Sequence, residues 1–199
     1  SAWYPFAPTG GALSSTTADV THLSPARNAA QLVGGAVIEP ASSGGSGGLA
    51  SFGGLRLSTA ADYARVPYVD QLDLDFGTGP FSIDTWVRPE PGVHGERTIV
   101  EKRHINSASP YRMLGWALYL NDQQLTLEIG NGLETQIVAG PAIPAGEWSH
   151  VAVTVDRGAG LDAGHWYVNG SPVALADFAP LAGSVSNAAD VFIGQSNPA

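Results

Sequence analysis

The sequence predicts an all-β protein made of antiparallel strands. Its 199 residues include 25 glycines and 14 prolines, which are typical of many short strands joined by turns. No segment keeps a helical periodicity over three turns, so long helices are not expected. After residue 49, apolar stretches recur about every 8 to 12 residues, as in β-sandwiches. We therefore predict one domain over residues 1–199, a length that allows a sizeable core.

The predicted strands follow one another with glycine, proline, asparagine or aspartate between them. Residues 3–6 contain Pro5 and suit a sheet edge, while the glycine-rich residues 42–48 predict a flexible loop. A long loop is predicted over residues 103–114. The strands are predicted at residues 31–33, 54–57, 64–67, 81–88, 97–102, 116–121, 124–131, 135–139, 148–156, 165–169, 171–174 and 190–194.

The strand over residues 148–156 has the clearest alternation. Val151, Val153 and Val155 share one face, and His150, Ala152 and Thr154 share the other. Because side chains alternate across a strand, the three valines are predicted to be buried.

The next strand ends in an Asn169-Gly170 pair, which predicts a two-residue type I′ turn. Both positions of that turn need positive φ, and these two residue types tolerate it. The register imposed by the turn places proline where its missing N–H costs no ladder hydrogen bond. The predicted pairs are Val168 with Ser171 and Tyr167 with Pro172.

Five segments resemble, in the same order, the laminin-G-like jelly rolls of the concanavalin A-like lectin/glucanase superfamily. The strongest is the run Glu-Trp-Ser-His-Val-Ala-Val-Thr-Val together with the later Tyr-Val-Asn-Gly. The resemblance implies a two-sheet antiparallel β-sandwich and, most often, a binding role. The matching segments are residues 81–89, 99–102, 115–120, 147–155 with 167–170, and 191–194.

The C-terminal residues depart from the pattern of this family. Its members usually continue with one more strand, which lies beside the N-terminal one, whereas this sequence stops soon after residue 194. We therefore expect the element at residues 3–6 to lack a neighbour. Unpaired sheet edges recruit strands, so we expect another chain, a continuation of this one or the N-terminal segment itself to cover that edge.

The charge and composition exclude several classes of partner. Nine lysines and arginines against 18 aspartates and glutamates give a net charge of -9, which disfavours nucleic acids and anionic membranes. The absence of cysteine excludes disulfides and thiolate metal sites. No apolar run reaches the roughly 18 to 20 residues of a membrane span. Few lysines and much alanine, glycine and threonine favour an extracellular location or a cell or virion surface.

Catalysis is not expected. Asp73 and Asp75 have the i, i+2 spacing of a carboxylate pair, but their alternation with leucines points both toward solvent. Glu128 and Glu134 flank a turn, where glutamates are usually solvated. The five histidines contain no i, i+2 or i, i+4 pair, and no Gly-x-Ser-x-Gly motif is present.

Carbohydrate binding is the main functional prediction. A sugar site needs aromatic rings that stack on the apolar face of the sugar, with polar groups around them that bind its hydroxyls. Loops at one sandwich edge commonly carry function, which favours the segment 103–114. The candidates are Tyr111, Arg112, His104 and Asn106 in that segment, and Trp116, Tyr119 and Trp166 in strands.

The resemblance has two further implications. Trp86 and Trp148 are expected to pack in the core, as at the matching positions of the family. One structural Ca²⁺ is implied near an N-terminal aspartate loop, with Asp19, Asn28 and Asp190 as candidate ligands.

The sequence therefore predicts a non-catalytic carbohydrate-binding module of a secreted or surface assembly, whose partners are glycans or a neighbouring protein chain. The alternative is a structural, adhesion or decoration domain that binds protein through an open sheet edge. The two readings differ in whether aromatic rings stand free in a groove or an apolar edge lies exposed.

Overall fold

The computed structural model describes residues 16–17, 28, 30–39, 54–71, 74–106, 111–158, 164–176 and 181–197. All regular structure in these residues is β-strand except one 3₁₀ turn, Tyr68–Asp70. Every strand pair described there is antiparallel, which confirms the predicted fold class. The strands are β1 Thr16–Thr17, β2 Ala30–Val33, β3 Val37–Glu39, β4 Gly54–Arg56, β5 Tyr63–Val66, β6 Phe81–Val87, β7 Glu96–Asn106, β8 Arg112–Asn121, β9 Gln124–Asn131, β10 Thr135–Ala142, β11 Ser149–Val155, β12 Gly164–Val168, β13 Ser171–Leu175 and β14 Val191–Ile193.

The described residues form two compact units. The first contains those up to Leu74 together with Ala189–Ser196, and the second contains Asp75–Ala188 together with Asn197. In the first unit β1, β2, β5 and β14 are neighbours in that order, and β3 pairs with β4. The prediction of one domain over residues 1–199 stays a prediction.

In the first unit, the carboxylate of Asp62 joins the turn after β2 to the loop between β4 and β5. Its oxygens accept hydrogen bonds from the backbone N–H groups of Gly35 at 2.7 Å, Ser58 at 2.9 Å and Thr59 at 2.8 Å. The bond from Gly35, more than those from Ser58 and Thr59, holds the pKa of Asp62 below its ordinary value, although desolvation opposes this shift.

The second unit is a sandwich of two antiparallel layers. One layer has the order β7-β8-β9-β10 and the other β13-β12-β11-β6. Phe76 stacks on Phe81 and Trp116, with ring centroids 4.2 and 5.2 Å away. The buried core comprises Phe81, Ile83, Trp116, Leu118, Leu120, Leu125, Leu127, Ile129, Ile143, Val151, Val153, Val155, Trp166, Ala176, Leu181 and Val185.

The segment 181–188 contains no strand, and two buried cations bind its backbone carbonyls. Lys102 Nζ donates to the carbonyl of Asn187 at 2.8 Å and lies 3.7 Å from Asp75. The guanidinium of Arg157 donates to the carbonyl of Gly183 at 2.8 Å. Each cation thereby satisfies backbone oxygens that no strand partner reaches.

The predicted hairpin is confirmed. Val151, Val153 and Val155 are buried, and Asn169 and Gly170 have φ of 52° and 80°. The observed pairs are those predicted, Val168 with Ser171 and Tyr167 with Pro172.

One prediction of local structure is wrong, and one strand was not predicted. The segment 103–114 is not one long loop, because β7 continues to Asn106 and β8 begins at Arg112. The strand β3 was not predicted, because its three residues are too few to show a recognisable alternation. Residues 3–6 and 42–48 lie outside the described residues.

Candidate functional site

A pocket of about 280 Å³ lies at the end of the β7–β8 hairpin. Its walls come from the last residues of β7, the first residues of β8 and the turn after β9. The lining residues are His104, Ile105, Asn106, Arg112, Met113, Leu114 and Gly132. Three of the four candidates predicted in segment 103–114 therefore line one pocket.

Strand pairing explains why these side chains meet. Asn106 is the cross-strand partner of Arg112, and His104 is the partner of Leu114. Cross-strand partners have Cβ atoms about 5 Å apart, so the amide, the guanidinium and the imidazole lie within reach of one small molecule. All three side chains are exposed, whereas Met113 below them is buried.

Tyr111, the fourth candidate, precedes Arg112 at the same hairpin end and is 49% exposed. Its hydroxyl donates to Glu128 Oε1 at 3.0 Å. Burial, and then the adjacent Glu128 carboxylate, raise the pKa of Tyr111 to about 12. The phenol therefore stays a protonated donor, and its bond to Glu128 holds the ring away from the pocket, which Tyr111 does not line.

Glu128 belongs to a buried ion network across β7 and β9. The Arg103 guanidinium contacts Glu128 through Nη1, Glu101 at 2.9 Å through Nε and Glu96 at 3.3 Å through Nη2. Although burial alone would lower it, Glu101 and Glu128 raise the pKa of Arg103. Burial raises the pKa of Glu101 despite Arg103 beside it. The backbone N–H of Asn197 donates to Glu101 at 2.6 Å and completes the network.

The network joins two carboxylates that the sequence analysis did not connect. Glu101 and Glu128 are both partners of Ala117, so they lie on one row across three strands. That row depends on the register of β8 against both neighbours, which no local pattern in the sequence reveals. Arg103 binds both carboxylates, so each of them is held in an ion pair.

The three candidates in strands are buried, and the stacking role predicted for them is wrong. Trp116 and Trp166 lie in the core between the two layers, and Tyr119 is buried on the opposite side of β8. A Cβ on Gly140 would lie 2.6 Å from the Trp166 ring, which shows how closely β10 covers that indole. None of these rings offers a free face to a sugar.

Trp86 and Trp148 are exposed, so their predicted core packing is also wrong. Their exposed fractions are 43% and 45%. Phe81 and Ile83 point inward from β6, and strand alternation therefore turns Trp86 outward. Trp148 has the same parity as His150, opposite to the buried valines. The alternation in the sequence therefore indicated exposed tryptophans, whereas the resemblance to the family implied buried ones.

Two of the three predicted calcium ligands, Asn28 and Asp190, lie in the described residues, and the calcium site stays a prediction. Asp190 accepts a hydrogen bond from the backbone N–H of Tyr68 at 2.8 Å and lies 3.5 Å from Arg65. Asn28 is buried with a φ of 65°, and Asp19 lies outside the described residues. Throughout the described ranges, no three histidine, aspartate or glutamate side chains are placed to hold a metal ion.

The sandwich and its matching sequence define the class of protein. A family model of the concanavalin A-like lectin/glucanase superfamily, laminin-G type 3, matches residues 58–199, and the chain belongs to this family. The comparison with curated proteins gives no relative. None of the described helical segments is long and apolar enough to cross a membrane.

Solved structures share the fold at low identity. One is a Trypanosoma rangeli sialidase in complex with sialic acid, with 16% identity and a TM-score of 0.56, covering 95% of this chain and 27% of that one. Another is the binding domain of botulinum neurotoxin DC in complex with rat synaptotagmin II, with 15% identity and a TM-score of 0.59, covering 92% and 42%. A third, from botulinum neurotoxin type C, concerns interaction with two ganglioside molecules, with 14% identity and a TM-score of 0.56, covering 94% and 43%. The chain thus spans less than half of each, and the likeness concerns the fold alone.

Proposed function

We propose that this protein binds carbohydrate, without catalysis, in the pocket at the end of the β7–β8 hairpin. The observation that carries the proposal is the convergence of His104, Asn106 and Arg112 around that pocket. The imidazole, amide and guanidinium bind sugar hydroxyls, and the apolar side chains of Ile105 and Leu114 in the lining contact an apolar sugar face. A volume of about 280 Å³ suits one sugar ring better than a large ligand.

The fold neighbours support the ligand class. The trypanosomal sialidase is in complex with sialic acid, and botulinum neurotoxin type C interacts with two ganglioside molecules, so sandwiches of this fold occur in proteins that bind glycans. The argument against catalysis comes from this chain, because Arg103 engages both Glu101 and Glu128. A site outside the cell or on a cell or virion surface, where glycans are displayed, is part of the proposal.

A glycan array tests this function, followed by calorimetry with the best ligand. Arg112→Ala and His104→Ala should each weaken binding by about tenfold, because each removes hydrogen bonds to the sugar. Arg97→Ala is the matched control, since Arg97 is an exposed arginine of β7 outside the pocket. Equal affinities of the wild type and both pocket variants would place the glycan elsewhere, and an array without any bound glycan would contradict the function.

A structural or adhesion role through a sheet edge is the second candidate. In the described part of the chain, β10 pairs with β9 alone, and Ile137 on β10 is 64% exposed. An apolar edge of this kind favours pairing with another chain. Sedimentation velocity tests it: concentration-dependent association that Ile137→Lys abolishes would support this role, and a monomer at all concentrations would contradict self-pairing.

One structural Ca²⁺, held through Asp19 and Asn28, also remains our proposal. It rests on the family resemblance, since Asp190 is already paired with Arg65. If the ion is bound, EDTA should lower the melting temperature, and Asp19→Ala should abolish that difference. Identical melting curves of the wild type in calcium and in EDTA would contradict the proposed calcium site.

A further inference from the structure

We infer a second carbohydrate-binding site on the outer face of the β6–β11 layer, formed by the indole rings of Trp86 and Trp148. We call it the outer aromatic surface and define it as Asp84, Trp86, Arg88, Trp148 and His150. It belongs to a different layer of the sandwich from the hairpin pocket and shares no residue with it. The inference does not depend on the function proposed for that pocket.

Strand register places the two indoles on one face, in diagonal positions of neighbouring rows. Trp86 is the cross-strand partner of His150, and their rings are 5.2 Å apart. Val87 pairs with Ser149, so the next outward-facing pair is Arg88 and Trp148. The Arg88 guanidinium carbon lies 5.4 Å from the centre of the Trp148 ring. Two adjacent rows therefore form a block of two indoles, an imidazole and a guanidinium.

The exposure of these indoles is unusual within this unit. Trp116 and Trp166 are buried, as tryptophan side chains mostly are, whereas Trp86 and Trp148 leave almost half of their surface in water. Strand alternation already provides an inward face, so nothing in the packing requires tryptophan at either outward position. Large apolar rings exposed together are typical of a surface that another molecule covers.

The chemistry of the surface favours a sugar over the other candidates. Asp84 lies 3.5 Å from the His150 imidazole, so hydrogen-bonding groups stand directly beside the Trp86 ring. A pyranose offers an apolar face for stacking and hydroxyls for these polar groups. A quaternary ammonium ion would meet the guanidinium that already lies over Trp148. A stable protein interface would need about 20 to 30 residues on each side, far more than these five.

The two sites would act independently. Buried side chains of both layers, among them Val151 and Leu127, lie between the layers, and the hairpin pocket is at the end of two strands of the opposite layer. Occupation of the outer aromatic surface therefore blocks no residue of the pocket.

The indole N–H signals in a ¹H–¹⁵N spectrum test the inference directly. The chain has five tryptophans, and the signals of Trp86 and Trp148 are assigned from Trp86→Phe and Trp148→Phe. The probes are hexasaccharides of β-1,4-linked glucose, xylose and mannose and of α-1,4-linked galacturonate, each titrated to millimolar concentration. We expect at least one of them to shift both signals while those of the buried Trp116 and Trp166 stay in place.

Affinity measurements complete the test. Trp86→Ala and Trp148→Ala should each weaken binding of that hexasaccharide about tenfold, since each removes a stacking face. Leu175→Ala, an exposed apolar residue of the same layer, is the matched control and should leave affinity unchanged. Arg112→Ala should also leave it unchanged, which separates this site from the hairpin pocket.

Two results would overturn the inference. In the first, none of the hexasaccharides shifts the Trp86 and Trp148 signals. In the second, both signals change with protein concentration in the absence of sugar, which would identify the surface as a contact between copies of this chain.

Discussion

Gly170 stands at a turn where the backbone, rather than a neighbour, restricts the side chain. Its φ is 80°, and a Cβ added there would meet nothing within 4 Å. Gly170→Val should therefore lower the free energy of unfolding by about 1 to 3 kcal/mol through backbone strain alone. Urea unfolding measures it. Gly170→Asn is the control and should lose less, because asparagine tolerates positive φ; equal losses would contradict the strain argument.

Gly140 shows the opposite kind of restriction. A Cβ there would lie 2.6 Å from Trp166, whose ring is fully buried in the core. Gly140→Ala should therefore destabilise by about 1 to 3 kcal/mol, because the indole cannot move without opening the core. Gly79→Ala, where the nearest atom would be 3.5 Å away, should change stability far less. Thermal unfolding of both variants compares them, and an unchanged Gly140→Ala protein would contradict the close packing of β10 on Trp166.

At the scale of elements, the end of the β7–β8 hairpin depends on a tether from Tyr111 to Glu128. Tyr111→Phe should lower stability by about 1 kcal/mol, the net contribution of one such hydrogen bond. Tyr167→Phe, a tyrosine of the other layer, is the control, and identical stabilities of the two variants would contradict the tether.

Two tyrosines, one in β8 and one directly before it, should ionise at unusually high pH. Burial, and then the Glu128 carboxylate, raise the pKa of both Tyr111 and Tyr119 from 10.0 to about 12. Because these pKa values are higher in the folded than in the unfolded state, the two protonated phenols contribute to the free energy of unfolding. This contribution is fully present below pH 10.0 and is lost as the pH rises toward about 12. Tyrosinate absorbance should therefore show two late-ionising groups, one of them removed by Tyr111→Phe. Complete ionisation of all tyrosines near pH 10.0 would contradict this.

In the first unit, the ionised carboxylate of Asp62 stabilises the loop between β4 and β5, and this contribution is lost at low rather than high pH. Its carboxylate accepts three backbone hydrogen bonds, which hold its pKa below the ordinary value of 3.8. The stabilisation is present above pH 3.8 and is lost as the pH falls through the lower folded-state pKa. Asp62→Asn should lower the melting temperature at neutral pH and flatten its decline in acid. Glu147→Gln, an exposed carboxylate, is the control and should do neither.

At the scale of the whole molecule, the chain has a net charge of -9 and belongs to the concanavalin A-like lectin/glucanase superfamily. Its candidate ligand groups lie on the second unit. Cationic side chains occur at both candidate surfaces, Arg112 in the pocket and Arg88 over Trp148. These local charges matter more for ligand choice than the net charge does, because charged groups more than about 8 to 10 Å away are largely screened at physiological salt.

The sequence by itself determined the fold class, most strand positions and the Asn169-Gly170 hairpin. These features depend on local causes: the alternation of Val151, Val153 and Val155, and the positive φ that a type I′ turn requires. It also indicated that His104, Asn106 and Arg112 belong together, because they are close in the chain.

Only the tertiary structure decided which side chains are free to meet a ligand. Trp116 and Trp166 became core residues because both layers pack on them, while Trp86 and Trp148 face solvent. The contacts of Arg103 with Glu101 and Glu128 depend on the register of three strands. The physical reason is that burial and cross-strand contact join residues distant in sequence, and the chemistry of each residue alone does not specify its neighbours.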